Sequence, residues 1–93
     1  MRALERTTQF KRDYKREMKG RHGATLRTAL AAVLRPLIAN ARLPERYRDH
    51  GVCGTQSGFR DCLVKLDLVL IYDKFDTDTL RLVRLGSLSE LGL

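Results

Sequence analysis

Gly58-Phe59-Arg60-Asp61-Cys62-Leu63-Val64-Lys65-Leu66-Asp67-Leu68-Val69-Leu70-Ile71-Tyr72 reads as two β-strands. Asp73-Lys74-Phe75-Asp76-Thr77-Asp78-Thr79 turns the chain back, and Leu80-Arg81-Leu82-Val83-Arg84-Leu85-Gly86 makes a third strand. Runs of β-branched and aliphatic residues joined by short polar turns predict an antiparallel sheet. Asp61, Lys65, Asp67 and Arg84 are threaded through this apolar stack. A rigid platform is what turns scattered charges into a site.

Upstream of the strands the apolar period changes to a helical one. Phe10, Tyr14 and Met18 recur every four residues after Thr7 or Thr8, either of which suits an N-cap, and Gly20 suits the exit. Lys11, Arg12, Lys15, Arg16 and Lys19 cover the rest of that helix, while Asp13 and Glu17, four apart, repel mildly. A second helix is expected from about Ala24 to Ile38, its stripe being Leu26, Leu30, Val33, Leu34, Leu37 and Ile38. Pro36 lacks an N–H and predicts a kink or an irregular last turn. Ala3 to Arg6 suits a short strand or an entry segment, and residues 40–49, with Pro44, a connecting loop. At the other end Ser87 and Glu90 have the spacing of a capping box for one helical turn. The expected architecture is α+β. Two N-terminal helices pack on one face of a curved antiparallel sheet, and the other face is left concave and polar.

Ninety-three residues make one domain, 1–93. An apolar fraction of 43% supports a core, and no run approaches the roughly 18 apolar residues of a membrane span. The basic, polar beginning lacks a signal peptide's apolar segment, so a cytoplasmic protein is expected, with no membrane partner. Eighteen Lys and Arg against 11 Asp and Glu give +7, which favours a nucleic acid or an acidic protein as partner. Nine of those cations lie between Arg2 and Arg27, against three acids. Cys53 and Cys62 form no Cys-x-x-Cys pair and the histidines are His22 and His50 alone, so neither a metal site nor a cofactor is expected and both thiols should be reduced.

Four segments in register resemble the YafQ-type mRNA interferases of the RelE/ParE toxin superfamily. They are Leu43-Pro44-Glu45-Arg46-Tyr47-Arg48-Asp49-His50, Phe59-Arg60-Asp61-Cys62, Asp67-Leu68-Val69-Leu70-Ile71-Tyr72, and Val83-Arg84-Leu85-Gly86-Ser87-Leu88-Ser89-Glu90-Leu91. The resemblance implies a RelE-like fold and a type II toxin that enters the ribosomal A site and cuts mRNA without a metal. It also implies a cognate antitoxin, DinJ/RelB-like and DNA-binding, encoded beside it. In-line attack of a ribose 2′-hydroxyl on the adjacent phosphate needs a base, an acid for the leaving oxygen, and cations.

By the same resemblance His50, Asp61, Asp67 and Arg84 fall on site positions. Each also has a plainer reading. His50 suits a solvated loop, Asp61 a pair with Arg60 or Arg81, and Asp67 a tight turn. Arg84, which alternation puts on the face of Leu80 and Leu82, suits an arginine reaching out from the sheet edge. Leu63 and Leu88 stand where the family commonly has histidine, the latter being the usual proton donor. Aromatics are missing near Gln56 and Gly92, and Phe59 replaces a common tyrosine. These departures imply weakened cleavage. Lys11, Arg12, Lys15, Arg16, Lys19, Arg60 and Lys65 are the candidate contacts to RNA or the ribosome. Alternatives are a non-catalytic paralogue that binds antitoxin or ribosome, and a ParE-like inhibitor of gyrase.

Overall fold

The computed structural model describes residues 3–20, 22–51, 59–65, 67–73 and 78–92, with the side chain of His50 outside that description. In chain order the elements are β1 (Ala3–Arg6), α1 (Thr8–Met18), α2 (Leu26–Ile38), a 3-10 turn (Glu45–Tyr47), β2 (His50–Gly51), β3 (Arg60–Lys65), β4 (Leu68–Asp73), β5 (Thr79–Gly86) and α3 (Leu88–Leu91). The strands form one sheet in the order β1-β5-β4-β3-β2.

The antiparallel reading holds from β2 to β5 and fails at one edge. β1 runs parallel to β5, Ala3 opposite Thr79 and Arg6 opposite Leu82, so the sheet is mixed. A parallel neighbour needs a long crossover, and here everything between β1 and β5 supplies it. The strand reading of Ala3–Arg6 is therefore the right one.

Thr7 caps α1 by accepting from the Phe10 amide, and its hydroxyl donates to the Val83 carbonyl at 2.9 Å. Phe10 is buried, while Tyr14 and Met18 pack against the same core. α2 contributes Leu26, Leu30, Val33 and Leu37 as buried residues. α2 passes through Pro36 to Ile38, and its end closes with the Ala41 amide donating to the Pro36 carbonyl at 2.8 Å. Pro36 falls in the last turn, and the carbonyl it leaves without a donor belongs to exposed Ala32, where water can serve it.

Both helices pack on one sheet face, against Val64, Leu68, Leu70, Tyr72, Leu80, Leu82 and Leu85. The opposite face is not simply polar. Val69, Ile71 and Leu91 form a second apolar cluster there, flanked by Phe59, Leu63 and Val83. α3 provides its lid: Ser87 and Glu90 close a capping box, and Leu91 folds back onto the sheet.

Where β1 stops, β5 continues, and its outer edge would otherwise be bare from Val83 onward. Side chains at the start of, and along, α1 fill that edge. The Leu85 amide donates to Asp13 Oδ2 at 3.0 Å, and Arg16 Nη2 donates to the Leu85 carbonyl at 3.0 Å. Gly86 allows this approach, because a Cβ there would lie 3.0 Å from Arg16 Nη2.

Candidate active site

Strand register gathers three of the expected site positions on one line. His50 pairs with Asp61, Asp61 with Ile71, and Ile71 with Arg84, so one rung crosses β2, β3, β4 and β5. Directly paired residues share a face, and Ile71 belongs to the cluster facing away from α1 and α2. Alternation along β5 had put Arg84 with Leu80 and Leu82. A register shift between Ile71 and Tyr72 inserts one residue and carries Arg84 to the other face.

Beside this rung lies a cavity of about 180 Å³ lined by Arg48, Asp61, Cys62, Leu63, Val69 and Leu88. Asp61 is 4% exposed. Leu63 faces it from β3, and Leu88, 45% exposed, faces it from the first turn of α3. Both leucines standing at histidine positions of the resembled family thus open onto one space. Arg48 lies in the segment that leads into His50 and is not among the expected site residues. It holds a left-handed backbone, φ 50°, at the end of the 3-10 turn, which takes it into both this cavity and a neighbouring polar cleft. Its position two residues before His50 was the available signal.

Asp67 is not on the rung. It takes φ 59° in the turn joining β3 to β4, the conformation of the tight-turn reading. It lies four positions before Ile71, roughly 13 Å at the rise of a strand.

Arg84 points its guanidinium at a carboxylate that sequence reasoning had treated as an ordinary surface charge. Asp13 is 0% exposed, and Arg84 donates to it through Nε at 2.8 Å and Nη2 at 3.4 Å. Arg16 Nη1 and Gln9 Nε2 each add a bond at 3.2 Å, besides the Leu85 amide. Burial alone would raise the Asp13 carboxyl. The Arg84, Leu85 and Gln9 hydrogen bonds outweigh it and hold the group below the ordinary carboxylate value. Arg16 also pairs with Glu17 at 3.1 Å and Glu90 at 3.4 Å, so this member of the basic set knits α1 to α3.

Two more expected RNA contacts lie away from the rung. Arg60 Nε bonds Asp49 Oδ1 at 3.0 Å, and this bond, helped by Tyr72, outweighs the opposing effect of burial and raises its pKa. The same Asp49 oxygen accepts from the hydroxyl of buried Tyr72. Arg60 opens with Arg42 and Arg48 onto a cleft of about 570 Å³. Lys65 donates to the Thr25 hydroxyl at the start of α2. Cys62 is a free, buried thiol, pushed up to about 12 by burial and then by the Asp49 and Asp61 charges, which makes it a poor nucleophile. Cys53 and Gln56 lie outside the described residues. No group of three His, Cys, Asp or Glu among the described residues has the placement of a metal site.

Comparison with known proteins places this geometry in context. The family model described as a bacterial toxin of a type II toxin-antitoxin system, YafQ, matches residues 2–92. A YafQ relative from Haemophilus influenzae is 36% identical over 73 residues, 73% of this chain and 72% of its own length. YafQ from E. coli superposes with a TM-score of 0.83 at 32% identity, covering 98% of each chain. In the E. coli DinJ-YafQ complex the matched chain gives 0.78 at 30% identity, again over 98% of each. The RelE-like α+β fold extends over essentially the whole chain.

Proposed function

We propose that this chain, which belongs to the YafQ family of type II toxin-antitoxin toxins, is an endoribonuclease of translated mRNA with a weakened catalytic centre. One observation carries the reading. Asp61, Leu63, Leu88 and Arg48 surround one cavity, beside the backbone rung that pairs His50 with Asp61, Asp61 with Ile71 and Ile71 with Arg84.

In the reaction the 2′-hydroxyl attacks the adjacent phosphorus, a cyclic phosphate forms, and the bond to the 5′-oxygen breaks. The hydroxyl's proton goes to a base, and the leaving oxygen must receive one. His50 is suited to proton exchange near neutral pH and is the base of this reading, while Asp67, in the turn away from the rung, takes no proton here. Arg84, with Arg48 beside the cavity, supplies charge for the phosphate oxygens. Asp13 engages Arg84 through Nε and Nη2, so Nη1 is the nitrogen this pair does not use. Leu88 and Leu63 can neither give nor take a proton.

The partners follow from the same reading: the ribosomal A site with its mRNA, and a DinJ-type antitoxin, as in the complex of the E. coli relative. Lys11, Arg12, Lys15 and Lys19 form the basic face offered to ribosomal RNA. The apolar lining contributed by Leu63 and Leu88 favours one second reading, a non-catalytic paralogue that sequesters antitoxin.

A translation-coupled cleavage assay separates the two. Leu88→His should raise cleavage by about 10²-fold, and Leu63→His/Leu88→His at least as much. Robust, equal cleavage by all three proteins would refute the weakened site. No cleavage by any would favour the paralogue.

A further inference from the structure

The segment that leads into the candidate rung is tied to the rest of the molecule at two points. Tyr47 is buried in the core between the helices and the sheet. Two residues later, Asp49 is gripped from two strands. The buried hydroxyl of Tyr72 on β4 donates to it, as does Arg60 Nε on β3 at 3.0 Å. Asp49 keeps 19% of its side chain exposed, and neither it nor Tyr72 has a part in the proposed cleavage.

Arg48 lies between the two ties. Its backbone is left-handed, φ 50°, and its amide donates to the Glu45 carbonyl at 2.9 Å. A residue with a Cβ keeps that conformation only where its surroundings impose it. The result is a change of side along three residues. Tyr47 and Tyr72 belong to the core, whereas Arg48 lines the cavity of Asp61, Leu63 and Leu88. It also lines the cleft that holds Arg42 and Arg60.

We infer that Asp49 is a positioning residue of the candidate site: clamped by Tyr72 and Arg60, it fixes the loop in the course that presents Arg48 to the cavity. The inference rests on the nuclease reading, in which Arg48 supplies charge to the phosphate. The chemistry suits a clamp. Burial, and then the bond to Asp49, raises the Tyr72 phenol above its ordinary value, so the hydroxyl remains a donor at neutral pH. Both donors meet the same oxygen, Oδ1, and hydrogen bonds to an ionised acceptor are the strong ones.

The test is a double-mutant cycle on the full chain in the translation-coupled cleavage assay. It is run in the natural sequence and in Leu88→His, with circular dichroism as the check on folding. Asp49→Ala should lower cleavage by about tenfold, because displacing a charge from its working position by an ångström costs that much or more. Tyr72→Phe should lower it by a smaller factor, since Arg60 still holds Asp49. Arg48→Ala should lose at least as much as Asp49→Ala. Arg48→Ala/Asp49→Ala should then lose no more than Arg48→Ala alone, as expected of residues that act through one another. Asp49→Asn, whose amide oxygen still accepts, should recover most of what alanine loses. Losses that add would show Asp49 to be merely structural, and full activity of Asp49→Ala would show it to be idle; either overturns the inference and spares the nuclease reading. If Asp49→Ala does not fold, the cycle of Tyr72→Phe with Arg48→Ala decides by the same criterion. Absence of cleavage by both the natural sequence and Leu88→His would remove the nuclease reading, and the positioning role with it.

Discussion

At the scale of single residues, Asp13 is the side chain whose importance the sequence hides most completely. Read along its helix, it sits among lysines and arginines, four residues from Glu17, and suggests only local repulsion. Its partners Arg84 and Leu85 are 71 and 72 positions away, beyond the reach of any helical period. Asp13→Asn should destabilise the protein by about 3 kcal/mol at neutral pH, because Arg84 and Arg16 lose their shared buried anion. The pH dependence carries a sign. A carboxyl held below its ordinary value stabilises the fold fully above about pH 4 and loses that contribution as acid protonates it. Urea unfolding from pH 7 downward should therefore show a steeper acid loss for the natural protein than for the Asn variant. Family resemblance marks Asp61, Leu63 and Leu88 as candidate site positions. The cavity they share was not legible, since it depends on α3 folding back over the sheet.

At the scale of elements, the strands and helices were readable wherever local chemistry decides. Thr7, Ser87 and Glu90 announce their caps by spacing alone, and the α2 stripe is long and regular. Reading failed where one residue of register matters. Nothing local in Val83-Arg84-Leu85 marks the shift that moves Arg84 across the sheet, because both alternations are compatible with that composition. Pro36 stays within α2 because its cost, high in a helix interior, is small in a last turn whose orphan carbonyl is exposed. The short α3 depends on its capping box, which also holds the Glu90 carboxyl low through the Ser87 hydrogen bonds. Ser87→Ala should cost about 1 kcal/mol and raise hydrogen exchange over residues 88–92, with β3 and β4 unaffected.

For the whole molecule, the α+β class follows from the change of period between Met18–Ile38 and the strands. The parallel position of β1 does not, since four residues carry no signal for which distant edge they join. The sheet keeps two surfaces apart, with Asp61, Ile71 and Arg84 toward one face and a groove lined by Leu4, Arg6, Lys11, Arg12 and Lys15 on the other. α1 touches both, its lysines at the groove and Asp13 at Arg84.

The manner in which α1 finishes β5 has a practical consequence for handling the protein. Half a strand with unsatisfied main-chain groups is a template for another copy, and here Asp13 and Arg16 occupy it as a side-chain stopper. Asp13→Ala/Arg16→Ala removes the stopper, and light scattering of concentrated samples should then reveal self-association that the natural sequence resists. Solubility of this toxin would be governed by two positions on a helix rather than by the strand they guard.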